Sequence, residues 1–159
     1  MFSLSESLDW ARREFGGVLL GDRRRTSRLV RVSASLFRRS SASLPKQMDD
    51  WSDLKAAYRL LSSASVTHES VGSDHWRRTR EVAGQPNQGL ILFVQDTTEL
   101  DFSTHRATEG LGFAGNGKGL GIEVHTTLAV QLASGVPGVF GVAAQLAWVR
   151  DHAPRVGRE

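Results

Sequence analysis

The sequence predicts an α+β protein in which a helical first half is followed by antiparallel strands. Up to about residue 83, apolar side chains recur every three or four positions, which is the period of an amphipathic helix. From Leu90 onward, apolar side chains run together or alternate with other residues, as they do in strands. We therefore expect a helical domain at 1–83 and a sheet domain at 90–159, joined by a linker rich in glycine and amides.

The composition is that of a folded protein without a membrane segment. The chain has 159 residues, of which 40% are hydrophobic and 23% are charged. It has no cysteine, which excludes disulfides and thiolate metal sites. No apolar run approaches the roughly 20 residues that span a bilayer, and the first residues do not resemble a secretion signal. We expect a cytoplasmic protein with no membrane partner.

Charge is distributed unevenly along the chain. Residues 1–80 contain fifteen Lys and Arg against nine Asp and Glu, whereas residues 81–159 contain five against eight. A basic first half favours a polyanionic partner, although an uneven scatter of surface charge would give the same totals.

Four helices are predicted in the first half. The first carries Leu4, Leu8, Ala11 and Phe15 at helical spacing and ends at the glycines 16–17. The second has Asp22 as its predicted N-cap. Its apolar side chains lie on one side: Leu29, Val30, Val32, Leu36 and Phe37.

The third and fourth helices follow a turn-prone segment at 40–45. The third is expected to begin near Asp49 or Asp50, and Thr67 is expected to cap the fourth, which runs to about Val82. The apolar residues of the third helix define one predicted face: Trp51, Leu54, Tyr58 and Leu61.

An arginine stripe lies opposite the apolar side of the second helix. Solvated helix faces usually mix both signs of charge, but no acidic residue occurs between Asp22 and Arg39. The planar guanidinium group binds phosphate through two hydrogen bonds, so the stripe favours nucleic-acid binding over a merely solvated face. Its members are Arg24, Arg28, Arg31 and Arg38.

The second half predicts a three-stranded antiparallel meander. Residues 90–95 read as a strand buried on both faces, residues 99–121 as a glycine-rich loop, and residues 122–132 as a second strand. Ser134-Gly135 predicts the turn to a third strand at 140–148. Such a sheet needs helices on at least one face, and none is predicted after residue 150, so the core looks incomplete.

Asp96 directly follows the predicted buried strand. Metal-dependent phosphodiester enzymes can hold a metal ligand on the last residue of a rigid strand, and Mg²⁺ prefers such oxygen ligands. A carboxylate that caps a turn is the simpler alternative. Two cations about 3.5–4 Å apart need several carboxylates. We do not expect Asp151 to be one of them, because a strand would separate it from Asp96.

Two other features are weaker candidates. His125 could contact a phosphate, but a partly buried structural histidine is the favoured interpretation. The run 115–119 is similar to a phosphate-binding loop, yet it has no Ser or Thr after its lysine and does not join a strand to a helix. We reject it as a nucleotide site.

Several ordered motifs together resemble the cut-and-paste DDE transposases of the Tn-five and IS-four class. In the first half they are Trp10, Phe15, Leu20-Gly21-Asp22-Arg23-Arg24-Arg25-Thr26-Ser27-Arg28-Leu29-Val30, Ser43-Leu44-Pro45 and Lys55-Ala56-Ala57-Tyr58-Arg59-Leu60. In the second half they are Gln95-Asp96-Thr97-Thr98-Glu99-Leu100, Gly110-Leu111-Gly112, His125-Thr126-Thr127-Leu128-Ala129 and Gln145-Leu146-Ala147-Trp148-Val149-Arg150.

The resemblance implies a domain that binds double-stranded DNA at the transposon's terminal repeats, followed by the first strands of an RNase H-like catalytic domain. Asp96 would be the first acid of the DDE triad and would ligate Mg²⁺ or Mn²⁺ in a complete, dimeric enzyme that cleaves DNA and transfers strands. The resemblance places basic residues at or near the DNA at Arg24, Arg25, Arg28, Arg38 and Arg59.

The family's second aspartate and its glutamate have no counterpart in this sequence. We therefore expect an N-terminal fragment that binds transposon ends, holds the metal weakly and is inactive alone. Three alternatives are a regulator that blocks a full-length transposase, an inactive relic, and a small nuclease that completes its site with a second copy.

Overall fold

The α+β prediction is confirmed by the computed structural model, which describes residues 3–86, 88–133 and 136–152. Within these residues, five helices precede a four-stranded antiparallel sheet. The helices are α1 (Leu4–Phe15), α2 (Arg23–Arg38), α3 (Leu44–Gln47), α4 (Trp51–Leu61) and α5 (His68–Ala83). The strands are β1 (Leu90–Asp101), β2 (Gly112–Ala114), β3 (Gly119–Ala133) and β4 (Val136–Trp148). None of the described helices is long and apolar enough to cross a bilayer.

The predicted helix caps are confirmed. The carboxylate of Asp22 accepts the backbone N–H two residues later at 2.8 Å. Asp50, one of the two residues proposed to start the third helix, accepts an N–H of the first turn of α4 at 2.9 Å. Thr67 accepts the backbone N–H of Ser70 at 3.0 Å. Each cap satisfies a donor that the first turn of a helix leaves without an intrahelical partner.

The short helix α3 was not predicted. It lies in a segment read as a turn, and Pro45 stands near its N-terminus, where the missing N–H costs nothing. One turn of helix is too short to show a periodic pattern. The proline and serines of this segment therefore predicted a turn.

The N-terminal unit (Met1–His75) has a core between α2, α4 and the segment before α2. The buried side chains of this core are Val18, Leu20, Leu29, Val32, Met48, Leu54, Ala57 and Leu60. A second cluster joins α1 to α2 through Ala11, Val30 and Ala34. Trp10 stacks on Phe37 with ring centroids 4.3 Å apart. Both sides of α2 are thereby packed, which fixes the direction in which its arginines project.

The predicted apolar face of α4 was right at Leu54 and wrong at its other three positions. Leu54, Ala57 and Leu60 are the buried residues, whereas Trp51 is 70% exposed, Tyr58 48% and Leu61 53%. The face with the small side chain of Ala57 packs inward, and tight interior packing leaves room there for alanine but not for indole.

The C-terminal unit (Trp76–Glu159) contains the sheet, in which β3 is central. β1 pairs with one edge of β3, while β4 and β2 pair with successive parts of its other edge. The predicted antiparallel pairing of the three long strands is confirmed. Their predicted turn at Ser134-Gly135 lies outside the described residues.

The bounds of the strands differ from the prediction. β1 continues through Asp101, so Asp96 lies in its middle opposite Thr126 rather than at its end. β2 and the start of β3 fall within the predicted loop at 99–121, and β4 begins at Val136. Two register shifts in the β3–β4 pairing interrupt the alternation that the prediction followed.

The prediction that β1 is buried on both faces was also wrong. Phe93 is 53% exposed and Val94 48%, while the buried cluster of this unit is small: Ala83, Ala129 and Ala143. An apolar run specifies a preference for burial, but the layers that would cover it are supplied by tertiary structure.

Candidate nucleic-acid interface

A cleft of about 440 Å³ lies between α2 and α4 and is ringed by guanidinium groups. Arg24, Arg25 and Arg28 come from the first turns of α2, and Arg59 comes from α4. The remaining lining residues are small or apolar: Ala56, Leu60 and Ser63. We refer to this feature as the arginine cleft.

The helical repeat places these arginines together. Arg24 and Arg28 are four residues apart on α2 and so project from the same face one turn apart. The Asp22 cap holds the start of this helix. Nη1 of Arg25 donates to the carbonyl of Leu20 and to the hydroxyl of Ser65, each at 3.0 Å. These bonds orient one guanidinium group before any ligand binds.

Arg28 carries a counter-ion within the protein. Its Nη1 lies 3.3 Å from a carboxylate oxygen of Asp53 on α4, and both side chains are partly exposed. Arg31 is exposed and lines a neighbouring groove of about 250 Å³ with Arg23, Arg24, Ser27 and Arg28. The basic surface therefore continues along α2 beyond the cleft.

Arg38 lies apart from the arginine cleft. Its side chain is only 13% exposed, and it donates to Asp49 at 2.6 Å, while Arg39 donates to the same oxygen at 2.7 Å. The hydrogen bond from Arg38, assisted by that from Arg39, lowers the pKa of the Asp49 carboxyl below its usual value. Arg39 also donates to the carbonyl of Gln47. This network joins the end of α2 to α3 and the segment before α4.

Residues 7–66 match the family described as transposase DNA-binding.

The matched region contains most of α1, all of α2, α3 and α4, and all six arginines that were candidates for binding DNA. It supports a transposase DNA-binding domain in the first part of the chain, with DNA as its partner. The helical position of this domain agrees with the α+β prediction.

Asp96, the candidate metal ligand, is exposed in the middle of β1. The hydroxyl of Thr98 donates to it at 3.4 Å. Its cross-strand partner is Thr126, which in turn pairs with Gln145 on β4 and accepts a hydrogen bond from that amide at 2.8 Å. The polar groups around Asp96 on this face are thus hydroxyls and an amide.

Glu99 and Glu123, the nearest acids on β1 and β3, are held on the other face of the sheet. They are cross-strand partners three positions from Asp96, so their side chains project to the opposite side. Arg150 lies 3.5 Å from Glu99 and 2.7 Å from Oε1 of the buried Glu123, the latter as an ionic contact without hydrogen-bond alignment. Asp151 lies six residues beyond Gln145, the residue of β4 level with Asp96.

On β1 and β3, therefore, Asp96 is the one carboxylate on its face of the sheet close to position 96. Among the described residues, no group of three or more His, Cys, Asp or Glu side chains could hold a metal ion. One aspartate could contribute a single ligand to Mg²⁺ or Mn²⁺, but it does not fit a two-metal site alone.

The two weaker candidates, His125 and the run 115–119, make contacts within the sheet. Nδ1 of His125 lies 2.7 Å from the hydroxyl of Thr97, on the face opposite Asp96. Residues 115–119 connect β2 to β3 rather than a strand to a helix. The backbone N–H of Gly115 donates to Glu99, which ties this turn to β1.

Sequence reasoning missed the acids that balance the arginines. Asp53 and Asp49 lie outside α2, and the sequence of that helix carries only positive charge. No periodic signal in the sequence indicates which acid of a later helix meets which arginine.

Proposed function

We propose that the N-terminal helical region binds double-stranded DNA at the ends of a transposon, with the arginine cleft on the phosphate backbone. The observation that carries this proposal is the convergence of Arg24, Arg25, Arg28 and Arg59 on one cleft. The match of residues 7–66 to the transposase DNA-binding family supports the same partner.

Phosphate fits the chemistry of the cleft better than other anions would. Several guanidinium forks can engage successive phosphate oxygens through paired hydrogen bonds, which a single small anion cannot satisfy. The groove beside Arg31 extends the positive surface along α2, as a continuous backbone requires. Arg38, which is bound to Asp49, would lie at the border of this footprint.

The finer proposal is that the chain is the first part of a cut-and-paste DDE transposase of the Tn-five and IS-four class. In that case β1 to β4 would begin an RNase H-like domain, and Asp96 would be its first metal ligand. The other acids would come from a second copy or from an intact transposase that shares the DNA ends. The bound cation would polarise a phosphodiester and activate water. Such a protein would work in the cytoplasm, where bacterial DNA lies.

The salt dependence of DNA binding tests the role of the cleft. Replacing both Arg24 and Arg59 with alanine should weaken binding and reduce the slope of log affinity against log salt by about two units, one for each lost phosphate contact. Fluorescence anisotropy with a labelled duplex measures this slope. The matched control replaces Arg13 and Arg106 with alanine, two exposed arginines that do not line the cleft. An equal effect of the control would show that the cleft arginines contribute only as general surface charge.

Two further comparisons test the transposase assignment. A terminal repeat should bind more tightly than a scrambled duplex, because a DNA-binding domain of this kind must find one site among many. Equal affinities would leave only polyanion binding. Without partners we expect no Mg²⁺-dependent nicking, and nicking that persists in Asp96→Asn would remove Asp96 from the proposed chemistry.

A further inference from the structure

The outward face of α4 carries aromatic side chains that the protein core does not use. Trp51 is 70% exposed and Tyr58 is 48% exposed. They are seven residues apart, or two helical turns, and so project from the same face about 10 Å apart along the axis. Lys55, also exposed, lies between them on this face. We call Trp51, Lys55 and Tyr58 the aromatic ridge.

The charge around the ridge identifies the class of its occupant. Positions 51, 55 and 58 lie on one helix face without an acidic residue, and Lys55 gives it a positive charge. The nearest acids are engaged within the protein, because Asp50 caps α4 and Asp53 pairs with Arg28. Arg59 follows Tyr58 directly and lines the arginine cleft. The ridge is thus continuous with the proposed phosphate-binding surface. A polyanion fits this positively charged surface better than a protein surface with few acidic residues would.

The aromatic rings specify which part of a nucleic acid they suit. In an intact duplex the bases are stacked on one another, so exposed rings can reach only groove edges and sugars. Unpaired bases present a free π-face, and stacking on an aromatic side chain is tolerant of sequence. Alternating aromatic and basic side chains are the usual combination for single-stranded nucleic acid.

We propose that the aromatic ridge binds unpaired bases next to the duplex held in the arginine cleft, so that the domain prefers DNA with a frayed or single-stranded end. This inference rests on the proposed function, because it requires the duplex to occupy the cleft. Trp51 stacks on one unpaired base, Tyr58 on another, and Lys55 contacts the phosphate between them.

The test uses the full chain and three labelled DNA probes at low salt. They are a blunt duplex, the same duplex with a short thymidine overhang, and the thymidine strand alone. The wild-type protein should bind the overhang duplex about fivefold or more tighter than the blunt duplex, which corresponds to the lower end of one stacking contact. Trp51→Ala and Tyr58→Ala should each reduce this preference while leaving blunt-duplex affinity unchanged.

Two variants distinguish stacking from other contacts. Trp51→Phe keeps a π-face and should retain part of the preference. It should also lose most of the quenching of tryptophan emission that the overhang causes. Leu61→Ala removes an exposed apolar side chain of the same helix without a π-face, and should have no effect.

Other outcomes overturn the inference in distinguishable ways. Equal binding of blunt and overhang duplexes removes the ridge from DNA recognition but leaves the cleft in place. Failure to bind any probe removes the proposed function as well. If Trp51→Ala abolishes self-association in sedimentation and changes no DNA affinity, the occupant is a second copy of the chain. An equal loss in Leu61→Ala identifies a general apolar contact instead of stacking.

Discussion

Arg28 and Arg38 are each held by an aspartate, whereas Arg24 and Arg59 are exposed around the cleft. A phosphate that approaches Arg28 must compete with the carboxylate of Asp53, 3.3 Å from Nη1. At the residue scale, affinity for DNA depends on which guanidinium groups are available as well as on how many there are.

Replacing Asp53 with asparagine should therefore strengthen DNA binding. The change releases Arg28 and removes a negative charge from the side of the cleft, at the modest cost of a partly exposed ion pair. We expect up to about fivefold tighter binding at low salt, since such pairs contribute about 0.2–1 kcal/mol. Titration of a labelled duplex measures the effect. Asp9→Asn, which breaks the Arg12 pair on α1, should leave affinity unchanged.

Asp49 predicts an acid-dependent contribution to stability. Hydrogen bonds from Arg38 and Arg39 lower its pKa in the folded protein. A carboxyl whose pKa is lowered by folding stabilises the fold above its unfolded pKa, near 4, and this contribution is lost as pH falls through the folded pKa. Asp49→Asn should cost no more than about 1 kcal/mol at neutral pH, because the carboxylate is half exposed.

The difference between Asp49→Asn and the wild type should shrink in acid. Denaturant unfolding at neutral pH and below the usual aspartate pKa measures it. A difference that stays constant with pH would show that the Asp49 network does not contribute through its charge.

At the scale of elements, β3 is the central strand of the sheet. At Gly121 both β1 and β2 lie close against it. This residue pairs with Asp101 on one side and with Gly112 on the other. A Cβ placed here would overlap the carbonyl oxygen of Leu100 and touch Ala114. The glycine therefore allows β1 and β2 to flank β3 at the same level.

Gly121→Ala should destabilise the sheet by about 1–3 kcal/mol, the usual range when a group is forced into a filled space. Gly138→Ala is the matched control, because a Cβ at this strand position would meet only the amide oxygen of Gln131, at 3.9 Å. We expect its effect to stay within about 0.5 kcal/mol. Equal losses in chemical denaturation would assign the effect to general strand preference.

At the scale of the whole molecule, the described residues form two compact units, and each unit has buried clusters of its own. The clusters built on α2 and α4 contain residues of the N-terminal unit, and the alanine cluster of the sheet contains residues of the C-terminal unit. Side chains that share no core are not expected to unfold as one cooperative system.

We predict that Leu29→Ala destabilises the helical unit alone. Deleting this buried side chain should cost about 2–5 kcal/mol, whereas the sheet keeps its protection. Native-state hydrogen exchange read by mass spectrometry follows the two units separately. Faster exchange in β3 together with α2 would show that the units unfold together.

The sequence by itself determined the α+β class, the first two helices and the caps at Asp22, Asp50 and Thr67. These features depend on residues close together in the chain, where helical period and capping chemistry act directly. The antiparallel order of the long strands followed from alternation in the same way. β2 and the C-terminal part of β1 were not predicted, because glycine and polar residues there indicated a loop.

Tertiary structure decided which charges are available and which apolar residues are buried. The Arg28–Asp53 and Arg38–Asp49 contacts join residues 25 and 11 positions apart. The choice of Ala57 over Trp51 for the core of α4 depends on how that helix packs against the rest of its unit. Period and propensity describe one element at a time, so they specify that α2 carries a row of arginines. Only the packing of α2 against α4 makes four arginines line one cleft.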